Sequence, residues 1–190
     1  WGIELGAAIA DMGSYQGHGG VAYPHGNPMN WGLLTEGGFQ VNANGERFSN
    51  EVRGYSEQAV DVIAQPGRMA WDIYDEIREA PILGFTDYQE VSALGGVKKA
   101  PSVRALAQLL GLPYEALERT VAAVDAMRAG QRTCPWGRDF SKTKPLQAPY
   151  CGVKVTGALF HTQGGLVIDT NAQVLRPDRS RLPNLFFGGG

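Results

Sequence analysis

Glycine stands beside apolar residues throughout this chain: GGV at 19–21, GGF at 37–39, GAL at 157–159, GGL at 164–166 and FFGGG at 186–190. A flexible linker surrounds its glycines with polar residues. This pattern instead predicts tight turns and elements that approach one another backbone to backbone, where a side chain would not fit. The total, 26 of 190 residues, is roughly twice the ordinary share. A chain of this length holds one ordinary core, or one core with a partial second unit.

Charge narrows the partners. A formal net charge of −2 with 19% charged residues and no basic run argues against nucleic-acid and anionic-membrane surfaces. Small molecules fit better. No apolar run approaches the roughly 18 residues that span a bilayer, and no secretory signal pattern opens the chain. Cys134 and Cys151 lack the spacing of a metal cluster, and His18, His25 and His161 lack ligand spacing, so no metal site is expected. Two free or buried thiols are preferred to a disulfide. The compartment stays open, with cytoplasm favoured over periplasm.

Periodicity gives the elements. Residues 1–13 read as the tail of a helix, and 14–35, rich in Gly, Pro, Asn and His, as a long loop. Phe39 and Val41 alternate with polar residues, Asn44-Gly45 signals a type I′ turn, and Phe48 starts the return, which together predict a hairpin. Ser56 is the expected N-cap of a short helix with an apolar face of Ala59, Val60 and Ile63, closed by Pro66-Gly67. A strand over RMAWDIYDE follows, then a helical pair over VRALAQLLG and PYEALERTVAAVDAMRAG. In the second helix Leu117, Val121, Val124 and Met127 form one stripe. YCGVKVTGALF and two strands around Asp169-Thr170-Asn171 close the chain. The order is α+β, a helical lobe flanked by sheet, with no βαβ series.

The clearest candidate chemistry lies in ALFHTQGGLVID. His161 and Thr162 stand at a strand end before two glycines, where backbone approaches a flat ligand closely. On residues alone a β-bulge with a surface histidine is the preferred reading of the segment.

Three motifs in order carry a family resemblance across nearly the whole chain: GAAIADMGSYQGHG, VNANGERFSNE and HTQGGLVIDTNAQVL…LPNLFFGGG. They resemble segments of the succinate dehydrogenase/fumarate reductase flavoprotein superfamily, which includes soluble fumarate reductases and 3-ketosteroid Δ1-dehydrogenases. The resemblance implies an FAD-dependent oxidoreductase acting on a CH–CH or C=C bond beside a carbonyl or carboxylate. It implies a capping domain of the fumarate reductase type at 37–157, flanked by pieces of the FAD-binding domain at 1–36 and 158–190. Because the chain begins at Trp1 and stops at a triple glycine, further FAD-binding segments of the same chain are expected outside it, and the isolated piece is expected to be inactive.

Residue by residue, the resemblance puts His161, Thr162 and His18 on substrate-binding positions, Thr35 on a further contact, and Gly164, Gly165, Gly188 and Gly189 beside the flavin. The proton-transferring arginine of the fumarate reductases falls on Tyr55, a place where the ketosteroid enzymes carry a tyrosine base. This departure tilts the chemistry toward desaturation next to a carbonyl, although the ketosteroid enzymes lack the histidine of HTQGG. The Glu-x-x-Arg relay of the fumarate reductases is not recoverable either: LLTEGGFQVN offers Glu36 and no arginine.

A phenol titrates near 10 in water and needs a nearby cation or hydrogen-bond donors to work as a base near neutrality. Arg53 is the expected cation, since two residues apart in an extended segment share a face. It is equally suited to bind a carboxylate bidentately. Arg47, Asn50 and Glu51 are assigned to holding the loop, with the glutamates of 47–58 facing outward. A flavin-free ligand-binding module with the same fold is the alternative reading.

Overall fold

The computed structural model describes residues 1–189. Its strands are β1 (Ile9–Ala10), β2 (Tyr15–Ala22), β3 (Phe39–Val41), β4 (Met69–Asp75), β5 (Val97–Ala100), β6 (Tyr150–Thr162), β7 (Gly165–Leu166), β8 (Gln173–Leu175) and β9 (Arg181–Phe186). The helices are α1 (Gly32–Thr35), α2 (Tyr55–Ile63), α3 (Glu76–Glu79), α4 (Thr86–Ala93), α5 (Val103–Leu110) and α6 (Tyr114–Arg128), with 3-10 turns at Glu51–Arg53, Pro66–Arg68 and Ala80–Ile82. The chain forms two compact units, one of residues 17–158 and one of residues 1–16 with 159–190.

The larger unit is built on a sheet of order β2-β6-β4-β3, with β5 also paired to β6. β3 and β4 are antiparallel, with Phe39, Gln40 and Val41 opposite Ile73, Asp72 and Trp71. Side chains alternate across a strand, so Phe39, Val41, Trp71 and Ile73 enter one apolar cluster with Leu106, Leu117, Val124 and Phe140. The opposite face of β4 and β6, Ala70, Tyr74, Val153 and Val155, packs with Leu33, Val62 and Tyr88. Helices α5 and α6 match their predicted spans. Ser102 Oγ accepts from Ala105 N at the start of α5, and Gly111 ends it in the left-handed region. Leu117, Val124 and Met127 of the α6 stripe are buried.

The smaller unit pairs β1 with β7 and β8 with β9 around Ala7, Val174 and Leu182.

Four local expectations fail. Residues 1–13 form turns and a two-residue strand: Gly6 takes φ 81, and Ile3 and Leu5 stay exposed, so no helical face is buried. The 14–35 segment contains the eight-residue strand β2. Its glycines are there for close packing: a Cβ on Gly17 would stand 2.7 Å from Ala59 Cβ, and one on Gly19 2.7 Å from the Gln58 backbone. The turn at Gly45 (φ 75) forms, but β3 pairs with β4 instead of with the segment after Phe48. Helix α2 buries Gln58, Ala59 and Val62 while Val60 and Ile63 are 63% and 44% exposed, and Ser56 receives the Gly17 N–H at 3.1 Å instead of capping the helix.

Both cysteines are free thiols. Burial pushes Cys151 up to about 12. At Cys134 burial opposes ionisation, but the Arg47 guanidinium, 3.5 Å from the sulfur, and backbone donors hold the thiol below its ordinary value.

Candidate functional site

In the larger unit Tyr55 opens α2, directly after Gly54, whose φ of 144 turns the chain out of the preceding 3-10 turn. Its ring stacks on His18 of β2, with centroids 5.0 Å apart and planes 25° from parallel. Trp31 closes the group, edge-on to His18 at 5.6 Å and to Tyr55 at 6.2 Å. Two residues that the resemblance assigned to substrate chemistry, 37 positions apart in the chain, are thus neighbours in space. His18 is buried, which lowers its pKa to about 4 and keeps it neutral at pH 7. Its Nδ1 accepts the Gly20 N–H at 3.1 Å, so the ring proton sits on Nε2.

Arg53 departs from expectation. It closes a 3-10 turn rather than lying in an extended segment, and its half-exposed guanidinium pairs with Asp61 of α2. Glu51 departs too: it is fully buried. It accepts from Arg47 Nε at 2.9 Å and Nη2 at 2.6 Å, from Arg138 Nη1 at 3.0 Å and from Gln40 N at 3.1 Å. Burial opposes its charge, but the two guanidiniums outweigh burial and hold the carboxyl below its ordinary range. Asn50 Oδ1 accepts from Val52 N, so Arg47, Asn50 and Glu51 hold the loop as assigned. Trp31 Nε1 donates to Glu51 O at 3.2 Å and ties this network to the aromatic group.

Thr35 lies at the exposed end of α1, its hydroxyl 3.5 Å from the Trp31 and Gly32 carbonyls. The end of α1 is held by arginines distant in sequence: Arg138 donates to Leu34 O at 2.5 Å, Arg78 to Glu36 O at 3.2 Å and Arg128 to Gly37 O. These bonds go to carbonyls, so they do not rebuild a glutamate–arginine relay at Glu36.

Sequence reasoning missed the polar layer beside the aromatic group. Gln40 Nε2 donates to Gly19 O at 2.9 Å and to Asp72 Oδ1 at 2.8 Å, and Gln58 Nε2 donates to Gln40 Oε1 at 2.8 Å and Ser49 Oγ at 2.6 Å. Burial pushes Asp72 up to about 7, with the Gln40 bond opposing and the Glu51 charge adding to the rise. The one available signal was a polar residue between two large apolar ones, FQV and WDI, which in isolation reads as a solvent-facing position.

In the smaller unit His161 and Thr162 end β6, as expected from the sequence. They border a cleft of about 340 Å³ together with Gly164, Gly165, Phe187, Gly188 and Gly189. All four glycines assigned to the flavin therefore line one cleft with the two residues assigned to substrate. His161 Nδ1 is 3.2 Å from Gln163 Nε2, and its ring lies against Phe160. A Cβ on Gly164 would stand 2.0 Å from Asp11 O, so only glycine fits there. Added Cβ atoms on Gly188 and Gly189 meet nothing within 4 Å.

Comparison with known proteins gives the family. A family model described as an FAD binding domain matches residues 2–188. A probable fumarate reductase, Ifc3, of Shewanella frigidimarina (strain NCIMB 400) is 28% identical over 188 residues, which cover 98% of this chain and 31% of that relative. Among solved structures, the open conformation of a flavocytochrome c3 fumarate reductase matches with a TM-score of 0.75 at 28% identity, over 97% of this chain and 32% of that one. A 3-ketosteroid Δ1-dehydrogenase from Sterolibacterium denitrificans, in complex with 1,4-androstadiene-3,17-dione, shares the fold: TM-score 0.63, 20% identity, 97% of this chain and 39% of that one. The chain spans about a third of the length of the relatives just described. Among the described residues no helix is long and apolar enough to cross a membrane.

Proposed function

The chain belongs to the FAD binding domain family, with FAD as cofactor, and from that membership we propose that it forms the substrate-facing part of an oxidoreductase working on a carbon–carbon bond next to a carbonyl or carboxylate. Bound FAD supplies a hydride donor or acceptor at its N5.

The residues present suit that cofactor in part. The cleft at His161 is edged by glycines that leave backbone open to a flat ring, and about 340 Å³ is the scale of one ring system rather than a whole dinucleotide. Gly164, Gly165, Gly188 and Gly189 would hold it by close backbone approach. In this reading residues 37–157 form the cap. His161 and Thr162 offer an imidazole and a hydroxyl to a substrate carboxylate or carbonyl oxygen, with His18 and Thr35 as further contacts.

Tyr55 is the proton-transferring group in this reading. Its phenol exchanges a proton with the substrate carbon next to the carbonyl, on the face away from the hydride. The observation that supports it best is the 5.0 Å stacking of Tyr55 on the neutral His18 ring, which fixes the phenol's direction.

The test is Tyr55→Phe in the full-length flavoprotein. The expected outcome is a fall in kcat of about 10²–10⁴-fold with little change in ligand affinity. Equal losses in both would remove the proton-transfer role. A full-length protein that binds ligand and carries no flavin would favour a binding module instead.

A further inference from the structure

The buried acids Glu51, Asp75 and Glu79 each pair with a cation, and Asp72 stands apart from them. Asp72, 1% exposed, faces Gln40 directly across the β3–β4 pairing. Among the described residues no cation pairs with it. Its Oδ1 accepts from Gln40, and its Oδ2 lies 3.6 Å from the point where a Cβ on Gly20 would stand. His18 Cε1 and Trp31 Cζ3 lie 3.5 and 3.2 Å from that same point, so the acid reaches the notch framed by the two rings that border Tyr55.

The surroundings decide its charge. From β2 it meets His18, held neutral, and from the 3-10 turn Glu51, already paired with Arg47 and Arg138. Its own strand contributes Tyr74, whose hydroxyl partners Tyr88 of α4, and that tyrosine in turn donates to Glu79. Helix α2 contributes the amide of Gln58, and β6 the apolar Val153 opposite. A carboxylate buried without a cation is strongly disfavoured, so the neutral acid is the form that fits.

Gln40 links this acid to the site. It donates one amide hydrogen to Asp72 and the other to Gly19 O, next to His18, and it accepts from Gln58, in the helix that Tyr55 opens. One chain of hydrogen bonds therefore joins Asp72 to both elements of the stacked pair. We propose that Asp72, as a neutral acid, is the positioning residue that holds His18 and Tyr55 in register, and that loss of its proton loosens them. An ionised Asp72 draws water and donors toward itself, and Gln40 cannot donate further to it without releasing Gly19 O.

This inference rests on the reading of Tyr55 given above, and the experiment separates the two. In the full-length flavoprotein, wild type, Asp72→Asn and Tyr55→Phe are compared from pH 6 to 8. Asn keeps the acceptor for Gln40 and does not titrate. The ratio of kcat/KM for Asp72→Asn to that of wild type is expected near one at pH 6 and about tenfold higher at pH 8, as the neutral fraction of an acid titrating near 7 falls. Taking this ratio cancels every pH effect that the two proteins share. Near-ultraviolet circular dichroism of the His18–Trp31–Tyr55 group reads the same event without turnover: a change between pH 6 and 8 in wild type that Asp72→Asn lacks. If Tyr55→Phe abolishes turnover while the ratio and the spectra stay flat with pH, the role of Asp72 is overturned alone. If Tyr55→Phe leaves turnover intact, the proton-transfer reading falls, and the spectra decide whether Asp72 still frames the rings.

Discussion

Trp71 and Ile73 leave β4 on one side of the sheet, Ala70, Asp72 and Tyr74 on the other, and both sides are buried. The first side is mainly apolar and packs under α5 and α6, with the guanidiniums of Arg47, Arg128 and Arg138 over Phe140 at its margin. The second carries an acid, two glutamines and a serine in one hydrogen-bonded layer. Apolar contacts are non-directional and tolerate small shifts. A buried polar layer holds only when every member has its partner. The same strand thus builds a generic support on one face and a specific, condition-sensitive one on the other, and His18 and Tyr55 stand on the second.

Four experiments would break or sharpen that contrast. Phe39→Ala on the apolar side should cost about 3–5 kcal/mol by urea unfolding, by the same amount at pH 5 and pH 8. A cost that varies with pH would erase the distinction between the faces. Glu51→Ala should cost a similar 3–5 kcal/mol, because Arg47 and Arg138 would remain buried without a carboxylate. A near-neutral result would mean that water replaces Glu51 and that the cluster is not dry.

Asp72→Asn should act in the opposite direction. The folded state holds the Asp72 proton up to about pH 7, whereas the unfolded chain releases it near 3.8. Stability therefore falls as pH rises between those values and levels off above 7. The variant should match wild type near pH 3 and be more stable by up to about 4 kcal/mol at pH 8, read from thermal or urea unfolding. A gain that does not depend on pH would show that the acid is already ionised. Gly19→Ala should cost the least, about 1–3 kcal/mol, since its Cβ would meet Gln58 backbone at 2.7 Å and force α2 away from β2. The near-ultraviolet signal of the aromatic group should weaken with it.

Much of the supporting frame was legible without coordinates. The α6 stripe, the α5 pattern, the alternation in 69–75 and 150–162 and the turn at Gly45 are local signals, and local geometry alone makes them. The resemblance named His18, Tyr55 and the residues of the His161 cleft. Strand β2 was hidden because its glycines and histidine look like turn formers, and their true reason, a helix lying on the strand, is not a local fact. Arg53 was read from the geometry of an extended segment, and the 3-10 turn at 51–53 redirects it to Asp61.

The sequence by itself determined the periodic elements, the glycine-edged turn after His161 and the family motifs, because each depends on neighbours within a few residues. Only the tertiary structure decided that Gln40, Asp72 and Glu51 lie in the interior. A polar residue between two apolar ones reads the same whether its side of the strand meets water or a helix. Which it meets depends on where α2 comes to rest, and with that follow the neutral acid and the buried ion cluster beside the stacked rings.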